Sequence, residues 1–154
     1  MINLNLSGKR AVVTGASLGI GAAIVKMLAE HGAQVEFCAR SANAVNVLTA
    51  HDNVIGHTAD MGDQKSTEEF IRRILDSGPI DILINNVGAS PSRNFLYMSD
   101  DDWRDLHELN LLSAVRCTRA FLPGMREKKS GRVVMISSSA GKYPNAALVD
   151  YGTT

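Results

Sequence analysis

Short runs of β-branched and aliphatic residues alternate along this chain with longer stretches in which apolar side chains recur every three or four positions. Residues 10–14 (RAVVT), 34–38 (QVEFC), 54–58 (VIGHT), 80–85 (IDILIN) and 132–137 (RVVMIS) are short and apolar, and read as buried strands. The stretches 20–31, 42–51, 63–77 and 100–129 read as amphipathic helices, with Phe70, Ile71, Ile74 and Leu75 marking one apolar face. Gly32 and the Gly78-Pro79 pair fit helix stops, and Ser99 with Asp102 fits a capped helix start. Strands that alternate with helices are joined by right-handed crossovers. The expected fold is therefore α/β, a doubly wound parallel sheet with helices on both faces. At 154 residues, with no repeat or linker, residues 1–154 are expected to form one domain.

The turn after the first strand reads TGASLGIGAAI, with glycines at 15, 19 and 21. Glycines at a β-to-α turn allow positive φ and let the backbone approach a pyrophosphate, whose charge then meets the amides and dipole of the helix start. A tight turn packed on the sheet would use glycines equally well. The placement between the first strand and the first helix favours a dinucleotide.

Thr14-Gly15-Ala16-Ser17-Leu18-Gly19-Ile20-Gly21 resembles the cofactor signature of the short-chain dehydrogenase/reductase family, and four further stretches match that family in order. Asn85-Asn86-Val87-Gly88 resembles its N-N-A-G element, and Asp60 its adenine-contacting aspartate. Asn110, in HELNLLSA, matches the family's helix asparagine, and Ser137-Ser138-Ser139-Ala140-Gly141 resembles the strand end that bears its serine. The resemblance implies a Rossmann-type dinucleotide-binding domain. It also implies a cofactor over Thr14, Gly15, Ser17, Leu18, Gly19, Ile20 and Gly21, over Arg40 and Ser41, over Asp60 and Met61, and over Asn86, Val87 and Gly88.

At the end of the second strand an acidic residue would hold a ribose 2′-hydroxyl and repel a 2′-phosphate. Here Ala39 and Arg40 stand in that place, so NADP(H) is favoured, with NAD(H) possible. Ser41 could add a hydroxyl donor. The bland reading of Arg40 is a solvated residue opening the next helix, and Leu18 stands where NADP(H)-binding relatives often carry a second basic residue.

Reducing a carbonyl with a nicotinamide requires a proton at oxygen as well as a hydride at carbon. Ser138 precedes Tyr151 by about the separation the family keeps, and strand alternation would turn Ser137 and Ser139 to the face opposite Ser138. The resemblance implies that Ser138 orients the carbonyl, Tyr151 exchanges the proton and Asn110 holds a relay water. The residues alone also allow a helix cap, a packed aromatic and a capped backbone kink. A phenol with a pKa near about 10 needs a positive charge beside it to act at neutral pH. The family's lysine would fall at position 155, one beyond Thr154, and Lys142 is expected only at the pocket rim.

The remaining features narrow the function classes. Sixteen basic and sixteen acidic residues give no field for nucleic acid or anionic lipid, and no apolar run approaches a membrane span. A cytoplasmic protein acting on a small-molecule carbonyl or alcohol is expected, with no metal, since His31, His51, His57 and His107 lack ligand spacing. Cys38 and Cys117 read as reduced core residues. Ser90, Pro91, Arg93, Lys142, Tyr143 and Asn145 lie on loops where substrate could touch. The helix over 100–129 resembles the one the family uses for homotetramer contacts, and a stripe of Leu109, Leu112, Val115 and Arg116 could pack on a second copy or equally only on the sheet. Ending at Thr154 would leave RVVMIS as an open apolar edge, so the chain is expected to be the front of a longer protein; an intact mass near 16.6 kDa would refute that. The alternative is a catalytically inactive fragment that binds a dinucleotide or a partner.

Overall fold

The unbroken apolar run of the first strand reflects burial on both faces. β1 (Arg10–Val13) is the middle strand of a five-stranded parallel sheet, and Ala11, Val12 and Val13 are each at most 1% exposed. The computed structural model describes residues 4–49 and 52–154. β1 is followed by α1 (Gly19–Glu30), β2 (Gln34–Ala39), α2 (Ala42–Leu48), β3 (Val54–Thr58), α3 (Gln64–Asp76) and β4 (Ile82–Asn85). Then come α4 (Asp100–His107), α5 (Ser113–Glu127) and β5 (Arg132–Met135). The sheet order is β3-β2-β1-β4-β5, so the crossover direction reverses between β3 and β4, and that reversal opens a crevice at the strands' carboxyl ends.

Alternation along each strand sorts the core into two layers. Ala11, Val13, Val35 and Phe37 pack with Val25 and Ala29 of α1, whereas Val12, Cys38 and Leu83 pack with Phe70 and Ile74 of α3 and Cys117 and Phe121 of α5. Each such large side chain contributes about 1.5–3 kcal/mol on burial. Burial also pushes both thiols up to about 12, so Cys38 and Cys117 are free, buried and inert.

A charged cluster sits within the second layer. Arg10 donates to the Glu36 carboxylate at 2.6 Å, and His57 Nε2 lies 3.0 Å from its other oxygen. Burial pushes the Glu36 carboxyl up, yet the bonds from His57 and Arg10 outweigh it and hold the group below its ordinary range.

Several expected boundaries move. The fifth strand ends at Met135, so the serine cluster lies beyond the ladder and alternation does not order it. The second helix ends at Leu48, and its expected last two positions, Ala50 and His51, lie outside the described residues. The long helix expected over 100–129 is interrupted by a π turn, Glu108–Leu112, between α4 and α5. The extra residue per turn rotates α5 relative to α4. Leu109 packs inward against the second layer while Leu112 and Val115 stay exposed, so the stripe is divided between the two faces open to it, the sheet side and the outside; Arg116 pairs with Glu108. Ser99 and Asp102 form the anticipated capping box. β5 is an exposed edge, with Val134 41% and Met135 52% accessible.

Candidate functional site

Two cavities of about 340 and 310 Å³ lie along the carboxyl ends of the strands and share Ile20 and residues 86–89 as their common wall. The first runs over the glycine turn. Gly15 adopts φ +68, and a Cβ there would stand 2.7 Å from the Val87 Cα. Gly21 is buried, and a Cβ would meet Asn86 Nδ2 at 2.5 Å and the Gly15 carbonyl at 2.6 Å. Gly19 differs: its φ is +58, yet nothing lies within 4 Å of the Cβ position. Two of the glycines thus serve close packing, and the middle one faces open space.

Asn86 and Thr14 hold this turn from beneath. The Asn86 side chain donates to the carbonyls of Thr14 and Gly15 at 3.0 and 2.9 Å, and the Thr14 hydroxyl accepts the backbone N–H of Asn86 and Val87. The N-cap of α1 is Leu18, whose side chain supplies no hydrogen bond, so the first amides of the helix keep their donors for an anion. That uncapped start, with the open space above Gly19, fits a pyrophosphate.

Of the residues expected around a dinucleotide, Gly15, Ser17, Leu18, Ile20, Gly21, Arg40, Asp60, Met61, Asn86, Val87 and Gly88 line the first cavity. Thr14 is buried beneath it, Gly19 stands at its edge in open space, and Ser41 is exposed without lining it. Arg40 is exposed beside the buried Ala39, and Asp60 accepts the Gly62 N–H through Oδ1 at 2.9 Å. Ala59, Ala89 and Leu109 also line this cavity without having been expected there. Ala59 follows a strand end and was open to the carboxyl-edge rule, and Leu109 follows the buried Leu106 on the inward face of the helix.

The second cavity gathers Asn110, Ser138 and Tyr151, together with Ser137, Ser90 and Thr154. Ser138 has extended backbone, φ −130, and its hydroxyl accepts the Ala140 N–H at 3.2 Å as the cap of a short 3-10 turn, Ser139–Gly141. Its own O–H remains a donor. Ser137 lines the same cavity, contrary to the alternation expected of it, because the strand has already ended. Asn110 sits on the π turn, and its side chain brackets the backbone of Ala89: Oδ1 accepts the Ala89 N–H and Nδ2 donates to the Ala89 carbonyl, each at 2.9 Å. Nδ2 also donates to Thr154 Oγ1 at 3.0 Å. No charged side chain lines this cavity among the described residues. Lys142, expected at the rim, instead lies 5.3 Å over the Tyr143 ring, which is itself exposed.

Tyr151 opens a three-residue 3-10 turn, Tyr151–Thr153. Its backbone N–H donates to Asp150 Oδ1 at 2.9 Å, and Asp150 is wholly buried. Arg93, expected to touch substrate, lines neither cavity; its guanidinium lies 3.2 Å from Asp150 Oδ2 and 3.3 Å from Asp102 Oδ1. Asp150 carried no signal in the sequence beyond a lone acid in an apolar context.

A family model described as short chain dehydrogenase matches residues 9–154. A 3-oxoacyl-acyl-carrier-protein reductase of Vibrio cholerae is 38% identical over 151 residues, covering 96% of this chain and 62% of its own length. An uncharacterized oxidoreductase of Bacillus subtilis is 35% identical and is covered over 60% of its length. The chain thus spans about three fifths of these relatives. Among solved structures, a short-chain dehydrogenase from Streptomyces avermitilis superposes with a TM-score of 0.89 at 35% identity, covering 96% of this chain and 55% of that one. A metagenomic short-chain oxidoreductase in complex with NADP gives 0.91 at 35%, covering 97% and 71%.

Proposed function

The chain belongs to the short-chain dehydrogenase family, and from that footing we propose that the protein is an NADP(H)-dependent oxidoreductase interconverting a ketone or aldehyde and an alcohol. The observation that carries this reading is the shared wall of the two cavities, because a dinucleotide lying over the glycine turn would end beside Ser138 and Tyr151. The uncapped start of α1 would hold the pyrophosphate, Asp60 and Met61 would flank the adenine, and Asn86, Val87 and Gly88 would lie along the middle of the cofactor. Arg40, with no carboxylate beside it at the end of β2, supports a 2′-phosphate and hence NADP(H) over NAD(H).

When bound, the nicotinamide supplies or accepts the hydride. The chain's own residues manage the oxygen. Ser138 donates its free O–H to the substrate carbonyl, and Tyr151 exchanges the proton as general acid or base. Asn110 fixes Ala89 and Thr154, and a lone pair on its Oδ1 remains for a relay water.

The chain spans about three fifths of its relatives' length, so the activity is proposed for the whole protein. Residues 1–154 are read as a single dinucleotide-binding domain, the substrate as a small molecule and the setting as cytoplasmic. The exposed Leu112, Val115 and Leu122 support packing of two or four copies. No described helix is long and apolar enough to cross a membrane.

The test measures loss of NADPH absorbance with a panel of ketones, a 3-oxoacyl thioester included, beside thermal stabilisation by NADPH and by NADH. Stabilisation chiefly by NADPH together with oxidation of the cofactor is expected. Stabilisation without turnover on any panel member would favour a dinucleotide binder instead.

A further inference from the structure

The Tyr151 N–H donates to the carboxylate of the residue before it, so the surroundings of Asp150 bear on where the tyrosine stands. Asp150 is 0% exposed, and a buried carboxylate is costly unless a cation and hydrogen bonds meet it. Arg93 is the only cation within ion-pair distance of it among the described residues. The same guanidinium nitrogen lies 3.3 Å from Asp102, which is fixed in the capping box at the start of α4. The Arg93 backbone N–H donates to the Ala147 carbonyl at 3.1 Å, bringing the loop after β4 against the loop before the turn. One continuous line of contacts thus runs from the capped end of α4 through Arg93 to Asp150, whose other oxygen accepts the Tyr151 N–H at 2.9 Å.

We propose that Arg93 is a positioning residue for Tyr151: by neutralising and fixing Asp150 it sets where the phenol stands in the second cavity. The inference rests on the proposed oxidoreductase reading, in which that phenol must come within hydrogen-bond reach of the substrate oxygen. Small displacements of such a group are expensive, about a hundredfold in rate for 1 Å. Cofactor affinity should be insulated, because Arg93 and Asp150 do not line the first cavity.

The experiment uses the whole protein and three variants. Arg93→Met leaves Asp150 buried without its cation and risks misfolding. The double variant Arg93→Met/Asp150→Asn removes both charges together, so it retains the fold while losing the tether. Arg93→Lys keeps the charge. For the double variant we expect kcat to fall at least about tenfold, with KM for the ketone and Kd for NADPH within about threefold of the parent. Arg93→Lys should recover most of the lost kcat. A double variant with kcat within about twofold of the parent overturns the proposal, since a purely structural ion pair predicts that outcome. If the parent itself turns over no ketone, the oxidoreductase reading fails, and amide hydrogen exchange then judges the tether alone. Amides of residues 151–154 should exchange at least about tenfold faster in the double variant while those of β1 are unchanged; equal rates at 151–154 overturn it.

Discussion

Replacing Gly21 by alanine probes the packing at the start of α1. The new methyl would stand 2.5 Å from Asn86 Nδ2, 2.6 Å from the Gly15 carbonyl oxygen and 2.9 Å from the Ala16 Cα, and two of those three atoms are backbone. Gly21 is buried, so the methyl cannot escape to solvent. Displacing the Asn86 amide loses its bonds to Thr14 and Gly15, at about 1 kcal/mol each. Overpacking adds about 1–3 kcal/mol, and the better helix propensity of alanine returns about 1 kcal/mol. The net expectation is a loss of about 2–4 kcal/mol, large against a typical total of about 5–15. Gly19→Ala is the control, with open space at its Cβ position and only a left-handed backbone cost of about 1–2 kcal/mol. Its methyl would intrude where a phosphate approaches, so it should weaken NADPH binding out of proportion to its stability loss. Urea unfolding read at constant m-value, with NADPH titration of each variant, separates the two effects. A Gly21→Ala protein within about 0.5 kcal/mol of the parent would refute the packing argument, and a Gly19→Ala protein that binds NADPH normally would refute the proposed phosphate position.

Other residues give expectations of different kinds. Tyr151→Phe should lower kcat by about 10²–10⁴ and Ser138→Ala by at least about tenfold, with NADPH affinity unchanged by titration in both; near-parent turnover in Tyr151→Phe would remove the phenol from the mechanism. Arg40→Glu should weaken NADPH about 10–100-fold while leaving NADH binding within a few-fold, and equal losses for the two cofactors would show that Arg40 does not meet the 2′-phosphate. The Glu36 carboxyl lies below its ordinary value of 4.5 in the fold, burial opposing and the bonds to His57 and Arg10 prevailing. Its stabilisation is therefore present above pH 4.5 and is lost as pH falls through the depressed folded value. Chemical denaturation from pH 6 to about 3 should show a shallower acid loss in Glu36→Gln than in the parent, and identical slopes would refute the linkage.

The fold was legible where burial on two faces writes an unbroken apolar run, as in residues 10–13, and where a cap has its own chemistry, as in Ser99 with Asp102. It was less legible where tertiary contacts override local preference. Nothing in HELNLLSA announces a π turn, because the bracket that accompanies it is made to Ala89, far away in sequence. Leu109 follows the buried Leu106 by three positions, so its inward placement at the first cavity is what helical spacing alone would give. The glycines told apart poorly in the sequence: spacing placed all three at the turn, but only the surroundings separate Gly19, with room above it, from Gly15 and Gly21, with none. Arg93 was seen as a loop cation that could reach substrate; its buried partner Asp150 lies 57 residues away and was invisible to any local pattern.

The central place of β1 bears on how the chain is made. The strand leaves the ribosome early, yet its second neighbour arrives late: Arg10 donates to Asp81, 71 residues further on. At about 5–20 residues per second, translation leaves the Ala-Val-Val flank without that neighbour for roughly 4–14 s. Nascent chains in this interval carry a sticky edge that the finished sheet hides. Chains truncated after Ser77 should accordingly bind a hydrophobic dye more strongly than the 154-residue chain, and equal binding would show that the early half protects itself.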